Sequence, residues 1–131
     1  LLLSDVLRAV VACGLDPASG VLHSSGRNKP ALALDLMEEL RAPIADSAVA
    51  WAINNGELRE TDFRHDLDAV RLTPRGRKAL ITAYERRATT ELTHPQYGYR
   101  VTWRRAMEVQ ARMFLALVLA ETNEYRPIEL R

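Results

Sequence analysis

His23 stands in a loop just ahead of a predicted helix that carries Asp35, Glu38 and Glu39. Spacings of i, i+3 and i+4 place the three carboxylates on one helical face, so an imidazole and several carboxylates could converge. Mixed oxygen and nitrogen donors of this kind suit Mg²⁺ or Mn²⁺ better than a structural zinc ion. A hard cation takes about six ligands, so water, a phosphate or another carboxylate would have to complete such a site. The same spacing is also the ordinary solvated face of an amphipathic helix, with His23 as a loop histidine, and the pattern alone leaves both readings open.

A second constellation is basic and aromatic. Arg100, Arg104, Arg105 and Arg112 fall on one face of a predicted final helix, preceded by Tyr97 and Tyr99. Arg77, Lys78, Arg86 and Arg87 lie on the helix before it. Basic side chains hold phosphates by charge and aromatic rings stack on splayed bases, although local Glu partners such as Glu85 and Glu108 would make the same residues plain surface. A basic region beside an acidic metal-type cluster is what a metal-dependent enzyme acting on nucleic acid requires. The remaining histidines, His65 and His94, read as loop residues without a role. Cys13 sits on an apolar helix with no basic neighbour to activate it. Trp51, Trp103, Phe63 and Phe114 read as core anchors.

These residues need helices to position them. Leu2, Leu3, Val6, Leu7, Val10 and Val11 recur at helical spacing, and Gly14 supplies a stop. Pro30 opens a second helix over about residues 31–41, and Pro43 opens a third that Asn54-Asn55-Gly56 closes. Residues 57–72 fit either short extended pieces or single turns. Thr73-Pro74 is an N-cap and first-turn pair, predicting a long helix to about Leu92, and another spans roughly Arg100 to Thr122. The expectation is an all-α fold of about five helices, in one domain covering residues 1–131.

Composition agrees with a globular chain of 131 residues, 47% hydrophobic and 27% charged. Net charge is +1, but residues 1–70 hold six Lys/Arg against eleven Asp/Glu, and residues 71–131 hold twelve against six. An acidic half thus faces a basic one. No apolar run approaches the roughly 18 residues that cross a bilayer, so no membrane partner is expected. A single cysteine excludes an internal disulfide framework and suits a cytoplasmic address.

Three strings are more specific: Gly14-Leu15-Asp16-Pro17, Gly20-Val21-Leu22-His23, and Leu32-Ala33-Leu34-Asp35-Leu36-Met37-Glu38-Glu39 followed by Arg41. With Ile44-Ala45-Asp46, Asn54-Asn55-Gly56, Gly76-Arg77-Lys78, Tyr84-Glu85-Arg86-Arg87 and Tyr125-Arg126-Pro127 in order, the chain resembles the catalytic domain of the CRISPR-associated adaptation integrase, the Cas-one family. The resemblance covers nearly the whole chain.

That resemblance implies a helical catalytic lobe without the family's β-rich N-terminal domain. It implies a divalent-metal-dependent DNA integrase and endonuclease of spacer acquisition, joining the 3′-hydroxyl of foreign DNA to a CRISPR repeat by transesterification. The implied ligands of Mg²⁺ or Mn²⁺ are His23 and Glu38, with Asp35 in support and a further Glu upstream of Leu1. On that basis these 131 residues alone are expected to bind metal weakly and to be nearly inactive. Arg27, Lys29, Arg41, Arg100, Arg104, Arg105 and Arg112 become the candidates for contact with double-stranded DNA. The implied assembly is a homodimer with the small Cas-two subunit. The alternative is a non-catalytic helical DNA-binding or assembly module that keeps the scaffold.

Overall fold

The structure is a computed structural model that describes residues 1–13 and 31–129. Among the described residues there are five α-helical segments: α1 (Leu2–Ala12), α2 (Ala31–Leu40), α3 (Ser47–Asn54), α4 (Pro74–Ala88) and α5 (Trp103–Val118). They form four continuous helical bodies, because a π-helical segment, Arg41–Asp46, joins α2 to α3 without a break. A second helix ending near Arg41, with a new one opening at Pro43, was the sequence expectation. Proline cannot donate to the carbonyl four residues earlier, and wider π winding lets the chain pass Pro43 without leaving the helical path. Arg87 on α4 donates its Nε–H to the Pro43 carbonyl at 2.7 Å, tying α4 to this wound segment.

The all-α expectation is overturned by two antiparallel two-stranded sheets. Strands β1 (Phe63–His65) and β2 (Val70–Leu72) pair Phe63 with Leu72, while β3 (Glu91–Thr93) and β4 (Arg100–Thr102) pair Leu92 with Val101. Each strand has three residues, too short to display the alternation by which strands are read. These hairpins shorten the neighbouring helices. Helix α4 stops at Ala88 rather than near Leu92, and α5 begins at Trp103, leaving Arg100 on a strand. Thr73 caps α4, accepting from the Gly76 amide at 3.1 Å with Pro74 in the first turn; Thr102 caps α5 in the same way, from the Arg105 amide at 3.1 Å.

The main core joins α1, α2 and α5 through Val6, Val10, Leu36, Leu40, Ile44, Trp103 and Met107. A smaller cluster of Ala52, Leu58 and Ala83, with Phe63 and Leu72 against it, seats the first hairpin on α3 and α4. Gly76 permits that seat, since a Cβ there would lie 2.9 Å from Asp62 Cβ and 3.0 Å from its carbonyl oxygen. Trp51 was expected in the core but is 46% exposed, lying under the Arg86 guanidinium at 4.1 Å. Trp103 is a core anchor as expected, and Phe63 and Phe114 pack at core margins. Among the described residues no helix is long and apolar enough to cross a membrane.

Candidate functional site

Helix α2 presents its residues on two faces. Ala33, Leu36 and Leu40 point into the core, and Asp35 and Glu38 are exposed one turn apart. Among the described residues Glu38 pairs with Arg41 alone, at 3.4 Å, both side chains being open to water. The donor chemistry fits part of a ligand set for a hard divalent cation: two accessible carboxylates, one turn apart on a helix braced from below. Among the described residues no cluster of three His, Cys, Asp or Glu side chains completes such a site. His23, Arg27 and Lys29 lie outside the described residues.

Glu39 does not share the solvated face. It is half-buried and accepts three hydrogen bonds: from Gln110 Nε2 at 2.7 Å, from the Ile128 amide at 2.6 Å and from the Tyr125 hydroxyl. Burial, then the bond to Glu39, raises the Tyr125 hydroxyl well above its ordinary pKa. Gln110, fully buried on α5, also donates to the Arg126 carbonyl at 3.1 Å and accepts from His94 Nε2 at 2.9 Å. The backbone amides of Gln96 and Tyr97 point at His94 Nδ1, at 3.2 and 3.4 Å, which makes Nε2 the protonated nitrogen. One polar chain therefore binds the second hairpin, α5, the C-terminal segment and α2. His94 was expected to be a loop histidine without a role. Its sequence signal was faint: an imidazole beside proline in a loop whose partner, Gln110, stands 16 residues away.

The arginines divide by the same criterion. Arg104 is spent inside the fold: it donates to buried Asp5 at 3.0 Å and to Glu85 at 2.9 Å, and Asp5 accepts in addition from the Tyr84 hydroxyl at 2.7 Å. These contacts lock α1, α4 and α5 together and raise the Arg104 pKa, the bond to Glu85 being the largest cause. Arg100 pairs with Glu91 across the second hairpin at 3.0 Å, and Arg105 pairs with Glu108. Arg112 enters no ion pair among the described residues. The expected arginine face on one helix is thus broken up: Arg100 stands on a strand, and of the three arginines on α5 one, Arg104, is tied to Asp5 and Glu85.

Comparison with known proteins adds the family. Residues 1–86 match the family model described as CRISPR associated protein Cas1. The chain is 45% identical over 117 residues to a CRISPR-associated exonuclease Cas4/endonuclease Cas1 fusion of Geobacter sulfurreducens, covering 89% of this chain and 21% of the relative. It is 41% identical over 130 residues to a CRISPR-associated endonuclease Cas1 of Thermus thermophilus, covering 99% of this chain and 41% of the relative. The chain spans well under half the length of these relatives. Among solved structures, a casposase bound to integration product superposes with a TM-score of 0.79 at 25% identity, over 98% of this chain and 38% of that one. A Cas1 protein of Thermotoga maritima shares the fold, with a TM-score of 0.77 at 21% identity over 90% of this chain and 36% of that one. By the family match and these identities, the chain belongs to the Cas1 family of CRISPR-associated proteins.

Proposed function

We propose that the full-length protein is a divalent-metal-dependent DNA integrase and endonuclease of CRISPR spacer acquisition, with residues 1–131 as part of one catalytic domain. The observation that carries this reading is the pair Asp35 and Glu38. In a Cas1-family chain whose Asp5, Asp62 and Glu39 are all committed to internal bonds, these two carboxylates stand open on a rigid helix. The Cas1 relatives named endonucleases and the casposase bound to integration product support the same chemistry.

His23 and Glu38 would hold Mg²⁺ or Mn²⁺, with Asp35 as a supporting carboxylate and a Glu upstream of Leu1 as a further ligand. Such an ion supplies charge neutralisation at the non-bridging phosphate oxygens and at the departing 3′-oxygen. The 3′-hydroxyl of the foreign DNA would attack a repeat phosphodiester, forming a new P–O bond as the bond to the repeat's 3′-oxygen breaks, and the proton lost by the attacking hydroxyl ends, by way of solvent, on that departing oxygen. With water as nucleophile the same site cleaves DNA. The protein's share is placement. The α2–α5 core fixes the carboxylate face, Arg41 sits beside Glu38, and Arg41 and Arg112 would offer charge to phosphates with little sequence preference. Foreign and repeat duplex DNA are the proposed substrates, a homodimer with the small Cas-two subunit the proposed assembly, and the cytoplasm the proposed location.

The test is His23→Ala and Glu38→Ala in the full-length protein. Each should cut strand transfer about 100-fold or more, equivalent to about 3 kcal/mol of barrier, while folding and most DNA binding persist. Unchanged strand transfer in both variants would leave a non-catalytic DNA-binding or assembly module as the better reading.

A further inference from the structure

Helix α2 sits on the core through Ala33, Leu36 and Leu40, all fully buried. Apolar contact of this kind has no preferred direction, so it leaves a helix some freedom to turn about its own axis. Glu39 removes that freedom. Its two carboxylate oxygens divide the donors: Oε1 accepts from Gln110 Nε2 at 2.7 Å and from the Ile128 amide at 2.6 Å, and Oε2 accepts from the Tyr125 hydroxyl. Hydrogen bonds weaken steeply when bent, so three of them from separate groups leave the carboxylate one orientation.

The donors are themselves held. Gln110 is fully buried on α5, accepts from His94 Nε2 at 2.9 Å and brings its own Nε2 within 3.2 Å of the Tyr125 hydroxyl oxygen. The Tyr125 ring meets Phe114 edge-on at 5.3 Å, and the Ile128 side chain is buried in the main core. Two of the three donors thus come from the C-terminal segment, 86 and 89 residues along the chain from Glu39.

Neighbouring residues on a helix stand about 100° apart, so holding Glu39 also sets where Glu38 points. A turn of α2 by about 20° would carry a carboxylate lying about 5 Å from the axis through roughly 2 Å. That is about the whole length of a bond from oxygen to Mg²⁺.

We infer that Glu39 is a positioning residue for the metal-bearing face of α2, and that Gln110, Tyr125 and Ile128 form a latch which, through it, sets the heading of Glu38. The inference rests on the reading of Glu38 as a metal ligand. It adds that the C-terminal segment governs metal affinity without touching the ion, and that Glu39 acts through its acceptor geometry and not its charge.

The experiment titrates Mn²⁺ into the metal-free full-length protein and reads the bound ion from the lost electron paramagnetic resonance signal of the free ion. It is run at a temperature where circular dichroism shows every variant folded, so a general loss of stability does not move the affinity. Glu39→Ala should weaken Mn²⁺ binding about tenfold or more, the scale of a lost outer-shell partner, and Tyr125→Phe, which keeps its ring on Phe114, about threefold or more. Glu39→Gln keeps an oxygen for Gln110 and Ile128 and turns an N–H toward the Tyr125 oxygen, so it should stay within about twofold of wild type. Wild-type affinity in Glu39→Ala or in Tyr125→Phe would overturn the latch. So would a loss in Glu39→Gln as large as that in Glu39→Ala, which would make the charge the cause. Should Glu39→Ala not fold, Tyr125→Phe decides alone. Glu38→Ala separates the two readings: loss of Mn²⁺ binding there, with wild-type affinity in the latch variants, removes the latch alone, whereas unchanged binding in Glu38→Ala removes the metal reading and the latch with it.

Discussion

Glu38 and Glu39 are neighbours on the same helix and could hardly be used more differently. Glu39 turns toward α5 and the C-terminal segment and accepts three hydrogen bonds there; Glu38 turns to water and meets one exposed arginine. A carboxylate with three fixed donors is a structural part, because its lone pairs are occupied and its removal strands its partners. A carboxylate held in place by its helix but left with open lone pairs is available to a ligand. Occupancy, more than charge or spacing, separates the two.

The contrast can be broken at its buried end. Glu39→Ala leaves Gln110 Nε2, the Ile128 amide and the Tyr125 hydroxyl without their acceptor, and should cost about 2–3 kcal/mol in urea unfolding. Loss of near-ultraviolet ellipticity from Tyr125 should accompany it.

Asp62 tests a second committed carboxylate by pH. Arg75 at 2.6 Å and the Arg59 amide at 2.8 Å hold its carboxyl below the usual aspartate range, the Arg75 bond being the larger cause. Its contribution is therefore present above the unfolded-state pKa and lost as pH falls through the lower, folded value. Asp62→Asn should be less stable than wild type at neutral pH, with the gap closing on acidification. A gap that widened in acid would contradict the assignment.

The smallest effect is expected at the other member of the comparison. Glu38→Ala removes an exposed pair and should change stability by less than about 0.5 kcal/mol. A larger loss would mean that Glu38, too, is structural.

Helix positions were legible where either a cap or apolar periodicity marks them, as the cap does at Thr73-Pro74 and the periodicity does along Leu2 to Val11. The hairpins were not, because Glu91-Leu92-Thr93 and Arg100-Val101-Thr102 gain their stability from pairing with each other, and no local period announces a three-residue strand. The break expected between Arg41 and Pro43 does not occur, because a proline that usually opens a helix is here absorbed by a wider turn. At the candidate site, residue type and spacing singled out Asp35, Glu38 and Glu39 together, and the family resemblance alone narrowed them to Glu38 with Asp35 in support. Type and spacing could not tell Glu39 from its neighbours, since its partners Gln110, Tyr125 and Ile128 lie far along the chain. Arg104 was read among the surface arginines for the same reason: Asp5 and Glu85 reach it only in the folded state.

The buried positions Leu36, Leu40, Ile44, Ala48 and Ala52 recur every four residues across the wound segment, whereas ordinary winding of 3.6 residues per turn would carry such a row about 40° around the axis at each step. The slack turn at Arg41–Asp46 brings that row back into line midway. It works as a phase adjuster, setting the angular offset between the half of the rod that bears Asp35 and Glu38 and the half that docks on α4. Deleting one residue there would rotate one half against the other by about 100° and turn the two acidic groups away from their present heading.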